Sequence, residues 1–443
     1  MIQAPAGAST NPRREAAPGR LLLVAHHFPP SFAVGAFRPR RMAIHLERLG
    51  WEVAVLAARE MYLNDVDPAV CRGLERVRVY RTHALNVRSW LRRIRSRRAG
   101  AAPSVNGPTS KVAGGTSTHT LGLWLATRLE IPDAWWGWIP VALVVGSFLP
   151  RPDVILTTAP AFSNFLVAAA LSIRFRAPLV LDYRDPWNPL ERRPDLPSWR
   201  RRLDAALERW CAARAAEIVV TTPGLAREVG RVTNRPVQVV TNACEPERAQ
   251  RVVARVFDGP TLVYAGGLYG DRTLDPLLDA LSSLRDAGRI GPEQLQILYM
   301  GRTSDAARRS SDARGLEAFV RVEGNRPNEE ALAATAGASC NLTIVGAEHA
   351  QLVPAKIFEH LVAGRPMLVI TPPGSDTEDV LRAVPWARCI APDDGAAMEQ
   401  ALLEVASGDQ GSPSARIPEY LTAEATVATL HRILNEARRR GAR

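Results

Sequence analysis

Lysine is nearly absent from this chain. Only Lys111 and Lys356 occur among its 56 Lys and Arg residues, so the net charge of +11 rests on arginine. Such a skew fits a GC-rich coding sequence better than a mechanism, and it lets Arg stand wherever a pattern asks for Lys. The excess charge points to an acidic partner: nucleotide phosphates, an anionic membrane surface or nucleic acid. Cysteine is also sparse. Cys71, Cys211, Cys244, Cys340 and Cys389 are odd in number, scattered and without a C-x-x-C pair. That excludes a disulfide framework or structural zinc and fits a reduced, cytoplasmic compartment. Long apolar runs are missing too. The longest, Ile139–Leu149, is too short to span a bilayer, and the Ala/Pro/Gly-rich residues 1–18 lack a secretory signal's apolar core, so they read as a disordered tail. No nucleic-acid motif is recognisable.

What is present is a strand–helix rhythm that starts twice. At 443 residues the chain exceeds one ordinary core, so two domains are expected. Leu21–Ala25 reads as a buried parallel strand, Phe37–Leu49 has helical spacing closed by Gly50, and Glu52–Ala57 is the next strand, making one β-α-β unit. Strands at Val154–Thr157, Leu179–Asp182, Ile218–Thr221 and Val237–Thr241, with helices Asn164–Phe175 and Trp199–Ala216, complete a first sheet. A second start at Thr261–Ala265 is followed by the helix Leu274–Ala287. Strands Leu295–Met300, Val320–Glu323, Cys340–Val345 and Met367–Ile370, with the helix Lys356–Ala363, repeat the pattern. The expected fold is α/β, with two Rossmann-like doubly wound domains facing across a cleft. An N-terminal domain would span 19–250, with a flexible basic and Gly-rich insertion at 88–120. A C-terminal domain would span 257–410, and a helical segment at 411–443 would pack back toward the first domain.

In open α/β sheets ligands bind beyond the carboxyl ends of the strands, so candidate residues are sought there. Gly266-Gly267-Leu268-Tyr269-Gly270-Asp271-Arg272 follows a strand, and its glycines allow close backbone approach while Arg272 offers a forked donor. The competing reading is an ordinary tight turn. Lys356 and Glu359 lie one helical turn apart behind Pro354. They either support the helix as an ion pair or hold a phosphate and a ribose. Asp182, Arg184 and Asp185 crowd one strand end beside Trp187, which is costly unless they are paired or used. Gly35 would open a loop behind the first strand, and Arg38, Arg40 and Arg41 could meet a diphosphate or a lipid-linked acceptor, or simply form a solvated face. His26 and His27 tempt a metal role, but neighbours on an extended segment point opposite ways. Asp65-Val66-Asp67 is formally D-x-D in a polar segment away from the strand ends. No metal site is expected.

The colinear order of LLLVAHHFPPSFAVGAFRPRRMAIHL, IPDAWWGWIPVAL through PLVLDYRDPW, and VPAKIFEHLVAGRPMLVI resembles retaining GT-B glycosyltransferases of the family 4, group 1 type. More narrowly it is similar to the branch serving bacterial surface-polysaccharide and secondary-metabolite synthesis. The resemblance implies a donor diphosphate near Gly35, Gly266, Gly267 and Arg272, a ribose held by Glu359, and a base near the backbone of Gly324 and Asn325. The family often has two Glu in the motif of Glu359; here the first place is Gln351, which keeps hydrogen-bonding capacity but loses charge. Lys356 would supply the charge that the reduced basic pair around Gly267 lacks.

The expected reaction is transfer of a hexose-type sugar from a nucleoside-diphosphate sugar to an acceptor hydroxyl, with retention and without a metal or other cofactor. Arg272, Lys356 and a helix N-terminus would stabilise the leaving phosphate, and Asp182, Arg184 or Asp185 would serve the acceptor side. The acceptor is expected to be a sugar, a lipid-linked or a small molecule. Arg88–Arg98, with Trp90 among its arginines, could rest on an anionic membrane or be a solvated helix. The alternatives are a non-hydrolysing nucleotide-sugar epimerase on the same fold and a non-catalytic basic protein binding membrane or nucleic acid.

Overall fold

A computed structural model describes residues 19–31, 33–59, 66–84, 130–187, 196–245, 252–301, 303–408 and 417–441. The tail 1–18, the insertion 88–120, including the segment Arg88–Arg98 read as a basic helix from sequence, and Asp65 lie outside them. Seven strands form the first sheet: β1 Arg20–Val24, β2 Glu52–Ala58, β3 Arg78–Thr82, β4 Val154–Ala159, β5 Leu179–Tyr183, β6 Ala215–Val220 and the short β7 Gln238–Val239. All pair in parallel, in the order β3-β2-β1-β4-β5-β6-β7. The second sheet contains β8 Thr261–Ala265, β9 Gln296–Met300, β10 Val320–Val322, β11 Cys340–Ile344, β12 Met367–Ile370 and β13 Ala387–Ile390. Its order, β10-β9-β8-β11-β12-β13, repeats the first. Both sheets are doubly wound, and each reverses direction beside its first strand, where such folds bind ligands.

The strands read as unbroken apolar runs because helices cover both faces. Leu22 and Val24 enter one core layer with Trp138, Phe165 and Tyr183, while Leu21 and Leu23 enter the other. That second layer is closed by the terminal helix Ala423–Gly441, whose Val427, Leu430, Ile433 and Leu434 pack beneath the first sheet. Trp51 Nε1 donates to His431 Nδ1 at 2.9 Å on the same face. Cys244 bridges to Thr422 nearby, so the chain crosses between the domains twice at one place.

Two expected elements differ in detail. The helix after Trp199 ends at Arg214, because Ala215 already pairs with Leu179 of β5 and Ala216 belongs to β6. The first helix spans Val34–Arg48, starting three residues earlier than its apolar spacing suggested, with Pro39 inside it. Proline there cannot donate to the Gly35 carbonyl, the acceptor one turn back. Arg184 Nη1 donates to Gly35 O instead, at 2.8 Å, so the carbonyl is satisfied from another segment.

Arg38 on this helix is almost wholly buried and fully satisfied. Its Nε and Nη2 donate to the Asp182 carboxylate at 2.9 and 2.7 Å, Nη2 also to Val240 O at 2.8 Å, and Nη1 to Thr241 O and Asn242 Oδ1 at 3.0 and 3.1 Å. The first helix, the end of β5 and the chain leaving the first sheet are thereby joined at one point. Removing one partner of a buried pair strands the other charge. Asp182→Ala is therefore expected to cost about 3–5 kcal/mol of stability, read from the urea midpoint at constant m-value.

Candidate functional site

A cleft of about 1620 Å³ lies between the carboxyl edges of the two sheets. Its C-domain wall is built on the helix Ala355–Ala363, which follows β11 and a short turn. Its N-cap is Pro354, and no side chain caps its first N–H groups. Pro354, Ala355, Lys356 and Glu359 all line the cleft. An uncapped helix N-terminus presents partial positive charge to the cavity. Burial pushes the Lys356 ammonium below the usual lysine range; Glu359 works against that shift and Arg272 adds to it. Arg272 therefore stands within electrostatic reach of Lys356. Its guanidinium lies over the Tyr269 ring at 4.6 Å, and its Nε is buried without a partner. Gly266 and Gly267 line the cleft beside it. The Gly266 N–H bonds to Met300 O, and Gly267 O accepts from the Tyr264 hydroxyl.

Beneath this wall His360 is fully enclosed, and its Nδ1 lies 3.1 Å from Thr343 Oγ1. Burial first, then the neighbouring Lys356, lower its pKa to about 3. At the cleft mouth Asp271, Glu348 and His349 bring ligand-type atoms within 4.8 Å of one another. Asp271 Oδ2 already accepts from the Glu348 N–H at 3.1 Å.

The N-domain wall is aromatic. Trp135, Phe162 and Trp187 line it with His27 and Gly35. Phe162 and Trp187 stack at 4.9 Å, while His27 meets Trp135 edge-on at 5.1 Å. Asp133 fixes this corner by accepting from Trp135 N, Ser163 N and Ser163 Oγ at 2.8, 2.9 and 2.6 Å. Burial, reinforced by Arg184, lowers the His27 pKa to about 4. His26 is buried more deeply, its ring 4.4 Å from that of Trp135.

The structure thus brings Gly35, Arg184, Asp185, Gly266, Gly267, Arg272, Lys356 and Glu359 around one cavity. Other expected residues are placed elsewhere. Asp182 has no exposed surface and gives both oxygens to Arg38, so it positions rather than touches a substrate. Arg184 lines the cleft, but its guanidinium is spent on the carbonyls of Ala159, Gly35 and Pro160, so it acts as a strut. Gly35 sits in the first helical turn, not in an open loop. Arg40 donates to the carbonyls of Val70 and Arg72, and Arg41 pairs with Glu245, so neither is held in reserve for a diphosphate. Gln351 is outside the cleft lining, where its carbonyl accepts from Thr222 across the domain seam. Gly324 and Asn325, just beyond β10, are also outside the lining. Residues not singled out from sequence include Trp135 and Tyr264, while His27 was weighed only as a metal ligand and Trp187 only as a neighbour of the charged strand end. The cluster Trp135-Trp136-Gly137-Trp138 in a chain with ten Trp was the available signal.

The two sheets and facing cleft have the GT-B architecture of glycosyltransferases. Residues 35–244, a little under half of the chain, match the family described as glycosyl transferase 4-like domain. No curated protein matches the sequence. Among solved structures, the sucrose-phosphate synthase of Thermosynechococcus elongatus has a TM-score of 0.61 at 13% identity, over 94% of this chain and 98% of that one. Anabaena HepE, solved with UDP and glucose, has a TM-score of 0.55 at 12% identity, over 94% and 100%. The lipopolysaccharide outer core galactosyltransferase WaaB gives 0.52 at 12%, over 94% and 99%. At such identities the likeness is one of fold. Among the described residues no helix is long and apolar enough to cross a membrane.

The two neutral histidines make a pH prediction. Their folded pKa values of about 4 and about 3 lie below the ordinary 6.5, so the unfolded chain binds more protons in between. Their contribution is complete above pH 6.5 and is lost as pH falls toward those values. The urea midpoint should therefore drop between pH 6.5 and 4, and His360→Asn should flatten part of that slope.

Proposed function

We propose that this protein transfers a sugar from a nucleoside-diphosphate sugar to an acceptor hydroxyl, without a metal and with retention of configuration. One observation carries the reading: an uncapped helix N-terminus, Lys356, Glu359 and Arg272 converge on one wall of an inter-domain cleft. A partly desolvated ammonium, a guanidinium with an unpaired Nε and open helical N–H groups together suit a diphosphate. These groups are fixed before the reaction, so charge developing on the departing phosphate meets dipoles that need no reorganisation. Glu359 on the same helical turn would accept from ribose hydroxyls. The departing phosphate oxygen would take the acceptor's proton as the new glycosidic bond forms on the same face of the sugar. The cavity also exceeds the roughly 300–1,000 Å³ usual for one small ligand, which leaves room for donor and acceptor together. The 4-like domain and the UDP-bound structure of similar fold make UDP-glucose the first donor to try.

A thermal-shift panel of nucleoside diphosphates and nucleotide sugars tests the reading. Saturating UDP or its best-binding analogue, at 100 Kd, should add about 2.7 kcal/mol, a rise of roughly 3 °C for a protein of this size. Glu359→Ala is expected to abolish the shift, and Lys356→Ala to weaken binding about 10- to 100-fold, with the ligand-free Tm little changed. Full nucleotide protection in both variants would sink the assignment. Acceptor-dependent release of nucleoside diphosphate separates transfer from epimerisation.

A further inference from the structure

The two walls of the cleft differ in charge, and this limits what the second substrate can be. Positive charge on the C-domain wall faces the cavity through Lys356 and the helix end. On the N-domain wall, each arginine among the described lining residues is already engaged. Arg38 gives all five N–H groups to Asp182 and the 240–242 segment. Arg41 donates to Ala243 O and Glu245, both at 3.1 Å. Arg184 is held by three carbonyls. Arg200 donates to Asp204 at 2.6 Å and to Pro132 O at 3.1 Å. Asp133, Asp185 and Glu130 add carboxylates to the same wall. A phosphate on the acceptor would meet carboxylates there and only guanidiniums that already have partners, which is costly on desolvation.

The same wall is rich in ring surface. Trp187 lies stacked on Phe162, and Trp135 stands edge-on to His27. Trp187 Nε1 and His27 Nδ1 are shielded from solvent and have no hydrogen-bond partner among the described residues. Buried polar atoms left unpaired in a cavity wall mark places where a ligand or water completes the set. Indole faces stack on flat apolar rings, and an orphan indole N–H needs an oxygen acceptor.

Granting the transferase reading above, we infer that the acceptor is an uncharged, ring-bearing molecule. Its flat face packs on the Trp135–Trp187 wall, and one of its oxygens accepts from Trp187 Nε1. An aromatic aglycone and the apolar face of a neutral sugar both have that chemistry; a phosphate-bearing or lipid-phosphate acceptor does not.

Binding titrations with UDP already bound decide it, using 4-methylumbelliferone, methyl β-glucoside and glucose 1-phosphate as probes. At least one of the two neutral probes should bind about tenfold or more tightly than glucose 1-phosphate, and the stronger of the two identifies the source of the ring. Trp187→Phe keeps the stack and deletes the donor, so it should weaken the neutral probe about tenfold, the loss of one hydrogen bond, while UDP affinity stays within about twofold. Should that variant fail to fold, Trp135→Leu replaces it with the same expectation for the probe. Equal or tighter binding of glucose 1-phosphate, no binding of either neutral probe, or an unchanged probe affinity in the folded variant overturns the inference while leaving nucleotide binding intact. Absence of UDP binding to the unmodified protein would instead remove the transferase reading beneath it.

Discussion

The Arg38 guanidinium is the point on which the site's geometry depends. An arginine has five N–H groups in a rigid fork, and burying it is tolerable only if all are met. Here two go to Asp182 and the others to the backbone and Asn242 at the exit of the first sheet. That places the first helix against the end of β5 and fixes where the chain departs for the second domain. Arg184, two residues after Asp182, then spans to Gly35 O, which Pro39 has left without its helical donor. One wall of the cleft is thus held by a buried charge pair and a proline-vacated carbonyl, and its aromatic side chains stand on that base.

Much of the architecture was legible in the sequence, because a parallel strand covered on both faces must be apolar throughout. Leu21–Ala25, Leu179–Asp182 and Thr261–Ala265 show this, and each lies within a residue or so of an observed strand. Arg272, Lys356 and Glu359, picked from sequence because they follow strand ends, all line the cleft. What pattern could not reveal was the partner of each charge. Asp182 looks like a site residue until Arg38, 144 positions away, is seen to occupy both its oxygens. The same holds for Arg40 and Arg41, whose acceptors come from distant loops. Trp135 was passed over because an aromatic in sequence reads first as core, and only the fold shows that it and Trp187 edge a cavity.

The electrostatic division of the cleft follows from the same accounting. Both walls contain arginine, as a chain with two lysines must. On the N-domain side the guanidiniums are consumed by carbonyls and carboxylates within their own domain. On the C-domain side Arg272 keeps its Nε unpaired and Lys356 stays partly desolvated beside a bare helix end. Formal charge counts would make both walls basic. Hydrogen-bond satisfaction leaves cationic groups open on one wall and engages those of the other, where aromatic rings line the cavity.

The seam between the domains sets how far apart these walls stand. Thr222 accepts from Leu225 N as the N-cap of its helix and donates to Gln351 O at 2.7 Å, so one hydroxyl closes a helix and ties the domains. Beside it the Gly224 N–H donates to the Asp376 carboxylate at 2.7 Å, and a Cβ on Gly224 would lie 2.4 Å from that oxygen. No larger residue lets the helix after β6 approach the C-domain this closely. Asp376 is itself in the first turn of its helix, so its carboxylate lies between two helix N-termini, where negative charge is favoured. Gln351, which the sequence placed among the sugar contacts, contributes to this seam through its backbone. The residue that departs from the pattern of the resembled family therefore lies where the domains meet, and its neighbours fix the distance between the two walls of the cleft.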